Sequence, residues 1–181
     1  MVELVGNALC LDFTNTVNAR PVAARDWLRS PDQLDGWARA AGHPLGEPVA
    51  DTGDLARARD FRESVHRIFE PLARAADPPS NDLDALIETY ADGAGRARLS
   101  RTGQSYALTW PGPRTLQVLC WEVAGSAVDL LRHGPLDRLG ECPSCGWLFL
   151  DTSKNRRRRW CSMATCGSRD KARRYYQRHT S

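Results

Sequence analysis

Four cysteines, Cys142, Cys145, Cys161 and Cys166, limit what this chain can fold into more than any other feature. Cys142 and Cys145 form a Cys-x-x-Cys pair. Fifteen residues then lead to Cys161, and four more separate it from Cys166. Two turns with this spacing can bring four thiolates onto one tetrahedral zinc ion. About 40 residues bury too little surface to fold reliably alone, so the ion is expected to supply much of the stability. Four protein ligands leave no position for a water molecule, which makes the expected zinc structural rather than catalytic. Weaker alternatives are two disulfides, an iron–sulfur cluster or a redox Cys-x-x-Cys. The first needs an export signal, the second usually groups three ligands more tightly, and the third leaves Cys161 and Cys166 unexplained.

The same segment is strongly basic. Residues 141–181 carry ten Lys and Arg against three acids, whereas the rest of the 181-residue chain carries fifteen against nineteen. Opposite signs in two parts suggest two tasks. The cations are mostly arginine, whose forked guanidinium suits phosphate. They fall in a run, Arg156, Arg157, Arg158 and Arg159, and in a second group, Arg169, Lys171, Arg173, Arg174 and Arg178. Offsetting the net −2 charge of a zinc–tetrathiolate centre needs only two of them. The first twelve residues carry no basic leader with a long apolar stretch, and no apolar run is long enough to span a bilayer, so a cytoplasmic protein is expected.

Before the cysteines the pattern is mainly helical. Ser30-Pro31 with Gln33 reads as a capping box opening a helix that stops at Gly42. Residues 54–76 repeat apolar side chains at helical spacing, with Pro71 near the end. Ser80 or Asn81 is expected to cap a third helix, and Asp92-Gly93 to end it. Residues 96–110 switch to alternation around Thr102-Gly103, which predicts a β-hairpin. Pro113 is expected to open the most apolar helix, ended by Gly134-Pro135. Cys10 and Cys120 read as small buried hydrophobes. The four histidines share no metal-like spacing. The fold class is therefore α+β, mostly α: a helical unit over 1–139 with one hairpin, then a zinc module over 140–181 built as knuckle, short strand and helix. Gly146 is placed where the knuckle needs a positive φ, and Trp147 to Leu150 reads as the strand.

The stretch from Cys142-Pro-Ser-Cys145-Gly through Arg158-Arg-Trp160-Cys161 to Cys166-Gly-Ser-Arg169 resembles the CGNR zinc finger. Here Ser168 stands at the family's asparagine, and either residue could cap a helix start. The segment Leu9-Cys-Leu-Asp12-Phe13-Thr14-Asn15-Thr16 resembles the signature of the ABATE domain that precedes this finger. The resemblance implies a stress-induced transcription regulator whose finger binds duplex DNA and whose larger domain senses a small molecule.

On these grounds Cys142, Cys145, Cys161 and Cys166 are expected to hold one Zn2+. Arg156, Arg157, Arg158, Arg159, Arg169, Lys171, Arg173 and Arg174 are expected to meet nucleic acid. Asp12, Asn15 and Arg20 are candidates for an effector pocket; the alternative is that the signature satisfies buried backbone. A homodimer would double the DNA footprint. Two other functions are weighed: a zinc-ribbon adaptor for an acidic protein, and an RNA binder stacking bases on Trp160, Tyr175 and Tyr176. No nucleophile elbow, phosphate loop or His-Glu metal motif argues for an enzyme.

Overall fold

The computed structural model describes residues 2–18, 20, 25–49 and 52–179, without the side chains of 178 and 179. Its centre is a six-residue helix, α1 (Leu9–Thr14), in which Cys10, Leu11, Phe13 and Thr14 are all buried. A helix buried around most of its circumference has to be enclosed. Two two-residue strands follow, β1 (Val17–Asn18) and β2 (Arg25–Asp26), paired antiparallel. Helix α2 (Pro31–Ala40) starts as the capping box predicts, with Ser30 Oγ accepting from the Gln33 amide. It buries Trp37 edge-on against Phe13, the ring centroids 5.8 Å apart.

Helix α3 (Thr52–Leu72) carries Pro71 in its last turn, and the chain reverses at Ala75, where φ is 55°. Helix α4 (Ser80–Arg96) departs from expectation at both ends. Pro79 stands at its N-cap without a side-chain cap, and the helix runs through Gly93 to Arg96. Packing explains the glycine: a Cβ at Gly93 would lie 2.5 Å from Trp121 Cγ, so only glycine allows the two helices to meet there. The hairpin β3 (Arg98–Thr102) and β4 (Ser105–Thr109) turns at Gly103, φ 64°, and sets Leu99 opposite Leu108 and Arg101 opposite Tyr106. Helix α5 (Leu116–His133) starts three residues later than Pro113, because Thr115 caps it by accepting from the Val118 amide. α1 lies against both α3 and α5, and α4 packs across them. Burial pushes the Cys10 and Cys120 thiols up to about 12, as inert core groups should be.

Two short strands complete the fold, β5 (Leu139–Glu141) and β6 (Leu148–Leu150), paired antiparallel across the position where the sequence places its division. Alternation along β6 serves two cores at once. Leu148 and Leu150 enter the helical core, while Phe149 joins Cys142, Trp160, Cys161 and Cys166 on the other side. A π-helical turn (Met163–Gly167) leads directly into α6 (Ser168–His179). The described residues thus form a mostly helical α+β fold with three two-stranded sheets and a small cysteine module.

Candidate metal centre and nucleic-acid interface

Local structure brings the four cysteines together from three directions. Gly146, at φ 73°, closes the first turn by donating its amide to the Cys142 carbonyl at 2.8 Å. β6 carries the chain away, and the π-helical turn, capped by Ser162, returns Cys166. All four Sγ atoms lie within 4.8 Å of one another, with Cys161 3.5 Å from both Cys145 and Cys166. Thiolates about 2.3 Å from a tetrahedral zinc would stand roughly 3.8 Å apart, so the donor set fits the ion. Hydrogen bonds from Cys145 and Cys161 draw the Cys142 thiol down, and sharing with Cys142 pushes Cys145 up to about 12 and Cys161 up as well. Sulfurs this close cannot all ionise unless a cation sits among them. Cys142, Cys145, Cys161 and Cys166 are the ligands of one structural zinc; the ion would supply a rigid closed centre and no open coordination position.

The module is bolted to the helical unit through the N-terminal signature. The Asn15 amide donates to the Leu148 carbonyl at 2.8 Å and accepts from the Leu148 amide at 2.9 Å. Two residues along, the Leu150 amide donates to the Gly6 carbonyl and Asn7 Nδ2 donates to the Leu150 carbonyl. These groups act as the missing neighbour strand for the free edge of β6, leaving its buried backbone satisfied. Trp147 Nε1 reaches the Val17 carbonyl at 2.8 Å. Asp12 accepts from the Gly6 amide; burial raises its carboxyl above the usual range despite that bond. Arg20 pairs with Glu63 and donates to the Thr14 carbonyl. The three residues expected to line an effector pocket thus spend these bonds inside the protein.

The predicted cations divide into three kinds. Arg158 is half-buried and turned inward. Its guanidinium lies 4.3 Å over the Phe149 ring and donates to the carbonyls of Val5, Leu150, Trp160 and Cys161. It is a structural cross-brace, because a donor with five N–H groups can satisfy several carbonyls at once around a small core. Arg156 pairs with Asp137 at an exposed site, and Arg173 and Arg174 both reach the buried Asp170. Arg157, Arg159, Arg169 and Lys171 are exposed and have no acidic partner among the described residues, although Arg159 also stacks over Trp160. The Arg178 side chain lies outside the described residues. Trp160 packs inside the module at 7% exposure, while Tyr175 and Tyr176 stand open. Ser168 does not cap the start of α6: it is already helical, ends the π-helical turn and donates to the Met163 carbonyl.

Sequence reasoning missed Gly6, Asn7 and Trp147 as docking residues. Their partners lie more than a hundred positions away and leave no local pattern. His66 is held neutral, its imidazole pushed down to about 4 by burial first and by the Arg20 charge next.

Comparison with curated proteins gives no match. The family ABATE, described as "Putative stress-induced transcription regulator", matches residues 7–134. The CGNR zinc finger matches residues 138–179. The first match contains the asparagine that docks β6 and the second contains all four clustered thiols, so the chain belongs to the ABATE family and carries a CGNR zinc finger.

Proposed function

We propose that this protein is a zinc-dependent transcription regulator that binds duplex DNA through α6 and the arginine loop before it. The observation that carries the reading is a cationic helix, open to solvent from Lys171 to Gln177, growing straight out of a metal-fixed turn. A globular protein ordinarily buries one face of such a helix. Among its described side chains only Asp170, at its root, is buried. Of the predicted cations with described side chains, Arg157, Arg159, Arg169 and Lys171 can take phosphate or base edges without first leaving a carboxylate. The larger unit orients the finger, and no catalytic role is assigned to either part. A cytoplasmic location accords with this reading; no helix among the described residues is long and apolar enough to cross a membrane.

Selection from random duplex DNA with the zinc-loaded chain is expected to enrich a motif. With about four phosphates neutralised, the log–log salt slope should be about −4. Arg169→Ala should erase part of the motif if that residue reads a base, and only flatten the slope if it holds a phosphate. Unpaired RNA that outcompetes duplex DNA would instead favour stacking on Tyr175 and Tyr176, which are 59% and 66% exposed. Binding to neither would end both readings.

Dimerisation belongs to the same proposal. The β3–β4 hairpin leaves Leu99, Tyr106 and Leu108 exposed at 70%, 66% and 42%, with no cover among the described residues. A lone two-stranded hairpin is marginal in water, so a partner surface would stabilise it. Sedimentation equilibrium should give twice the chain mass, and the Leu99→Ser, Tyr106→Ser double variant should give one. A wild-type monomer at micromolar concentration defeats this part.

A further inference from the structure

A cleft of about 130 Å³ opens between the two parts of the molecule, where β1 and β2 face the zinc knuckle. Trp27, Trp147, Thr16, Asn18, Arg25 and Arg169 line it, together with Glu3 and the zinc ligands Cys145, Cys161 and Cys166. We propose that this cleft binds a monocyclic aromatic carboxylate, the chemical class of benzoate. As a regulator's effector site it rests on the function proposed above; as a binding site it stands on its own geometry.

Three observations select the ligand. The first is size. An apolar cavity of ~150 Å³ in another protein takes up benzene, so a space near 130 Å³ accommodates one six-membered ring with its substituent at the open mouth. The second is rigidity. Trp147 is fixed by its bond to the Val17 carbonyl, the Trp27 amide is held by the Thr16 carbonyl, and Asn18 Oδ1 pins the Arg25 backbone. A flat ring can therefore enter preformed aromatic walls at little ordering cost.

The third is the state of the two guanidiniums. Arg20, Arg62 and Arg158 are each engaged by carboxylates or carbonyls. Arg25 and Arg169, by contrast, have no side-chain acceptor among the described residues; Arg25 only approaches the Trp27 ring, at 5.9 Å. A carboxylate at the mouth would give them one, in the bidentate form that arginine favours. The ligand would also occupy Arg169 at the root of α6, so that binding in the cleft and binding of phosphate compete for one side chain.

Both arginines also share the cleft with the Glu3 carboxylate and with three thiolates of a cluster expected to carry a −2 charge, and offsetting these charges is the rival explanation for them. The two accounts predict different results for titration of the zinc-loaded full-length chain with benzoate, followed by tryptophan emission and calorimetry. The proposal expects saturable quenching at one ligand per chain. It expects affinity to fall about tenfold in Arg25→Gln, the loss of one charge-assisted pair. Benzamide, equal in shape but uncharged, should bind about as weakly to the wild type. Arg169→Gln gives an independent variant, with zinc content and melting temperature checking that each protein is folded. Absence of saturable binding, or equal affinity for benzoate and benzamide, overturns the site and leaves charge offset as the arginines' role. Benzoate binding by a protein with no affinity for DNA would keep this site and remove the regulator reading; DNA binding without benzoate binding would do the reverse.

Discussion

Cys161→Ser is expected to remove stoichiometric zinc from the protein and to unfold the chain from Cys142 through α6. Cys161 is the hub of the cluster, with Sγ atoms of Cys145 and Cys166 each 3.5 Å away, and it is 1% exposed. A serine hydroxyl at that position is a poor zinc ligand at neutral pH and leaves Cys142, Cys145 and Cys166 one ligand short of a closed tetrahedral site. Structural zinc in isolated finger peptides contributes about 10–16 kcal/mol to folding, which exceeds the whole stability of many domains. The loss should not stop at the module, because Leu148 and Leu150 sit in the helical core and Phe149 in the cysteine cluster. Freeing β6 opens the larger core along α1. Two measurements check this: metal per chain by elemental analysis, and thermal unfolding followed by circular dichroism. The variant should contain less than a tenth of the wild-type zinc and melt at least ~10 °C lower. Exhaustive chelation of the wild type should reproduce the same curve. A Cys161→Ser protein that keeps one zinc per chain, or melts like the wild type, would show that the ion does not hold the module together.

What could be read from the sequence followed from how local each feature is. The cysteine spacing, the positive φ at Gly146, the Ser30 cap and the alternation from Arg98 to Thr109 all lie within a few residues of their partners, and each appears in the structure. The arginine run shows the limit. Arg157, Arg158 and Arg159 look alike in sequence, yet only Arg158 turns inward, because a Val5 carbonyl 153 positions away accepts its guanidinium. Gly93 looked like a stop signal because its reason for being glycine is Trp121 on another helix. Asn15 belonged to a recognisable signature, but nothing adjacent to it reveals that its partner is β6, 133 positions later. Metal sites and turns are written in short-range grammar; the docking of one part on another is written in pairings that a single sequence does not display.

That docking yields the second large effect. Asn15→Leu should detach the finger from the helical unit without touching a metal ligand. Leucine keeps the branched outline of asparagine but is bulkier, so some repacking around α1 accompanies the loss of both hydrogen bonds to Leu148. The Leu148 amide and carbonyl are then buried without partners, at about 1–3 kcal/mol each, so the cost is roughly 2–6 kcal/mol. For a chain of this length that corresponds to a melting temperature lowered by roughly 5–20 °C. The readout that separates undocking from general damage is hydrogen exchange. The Trp147 indole N–H and the Leu150 amide, which bond across the junction to Val17 and Gly6, should lose protection first, while amides inside α3 and α5 keep theirs relative to the new global stability. Zinc should remain stoichiometric, because all four thiols belong to the detached side. If the finger acts on DNA in an orientation set by the larger unit, this variant also binds DNA less tightly than its intact metal centre would allow. A variant that melts within a degree of the wild type, with Trp147 and Leu150 still protected, would mean that Asn15 does not secure the junction and that Trp147, Gly6 and the shared β6 core suffice.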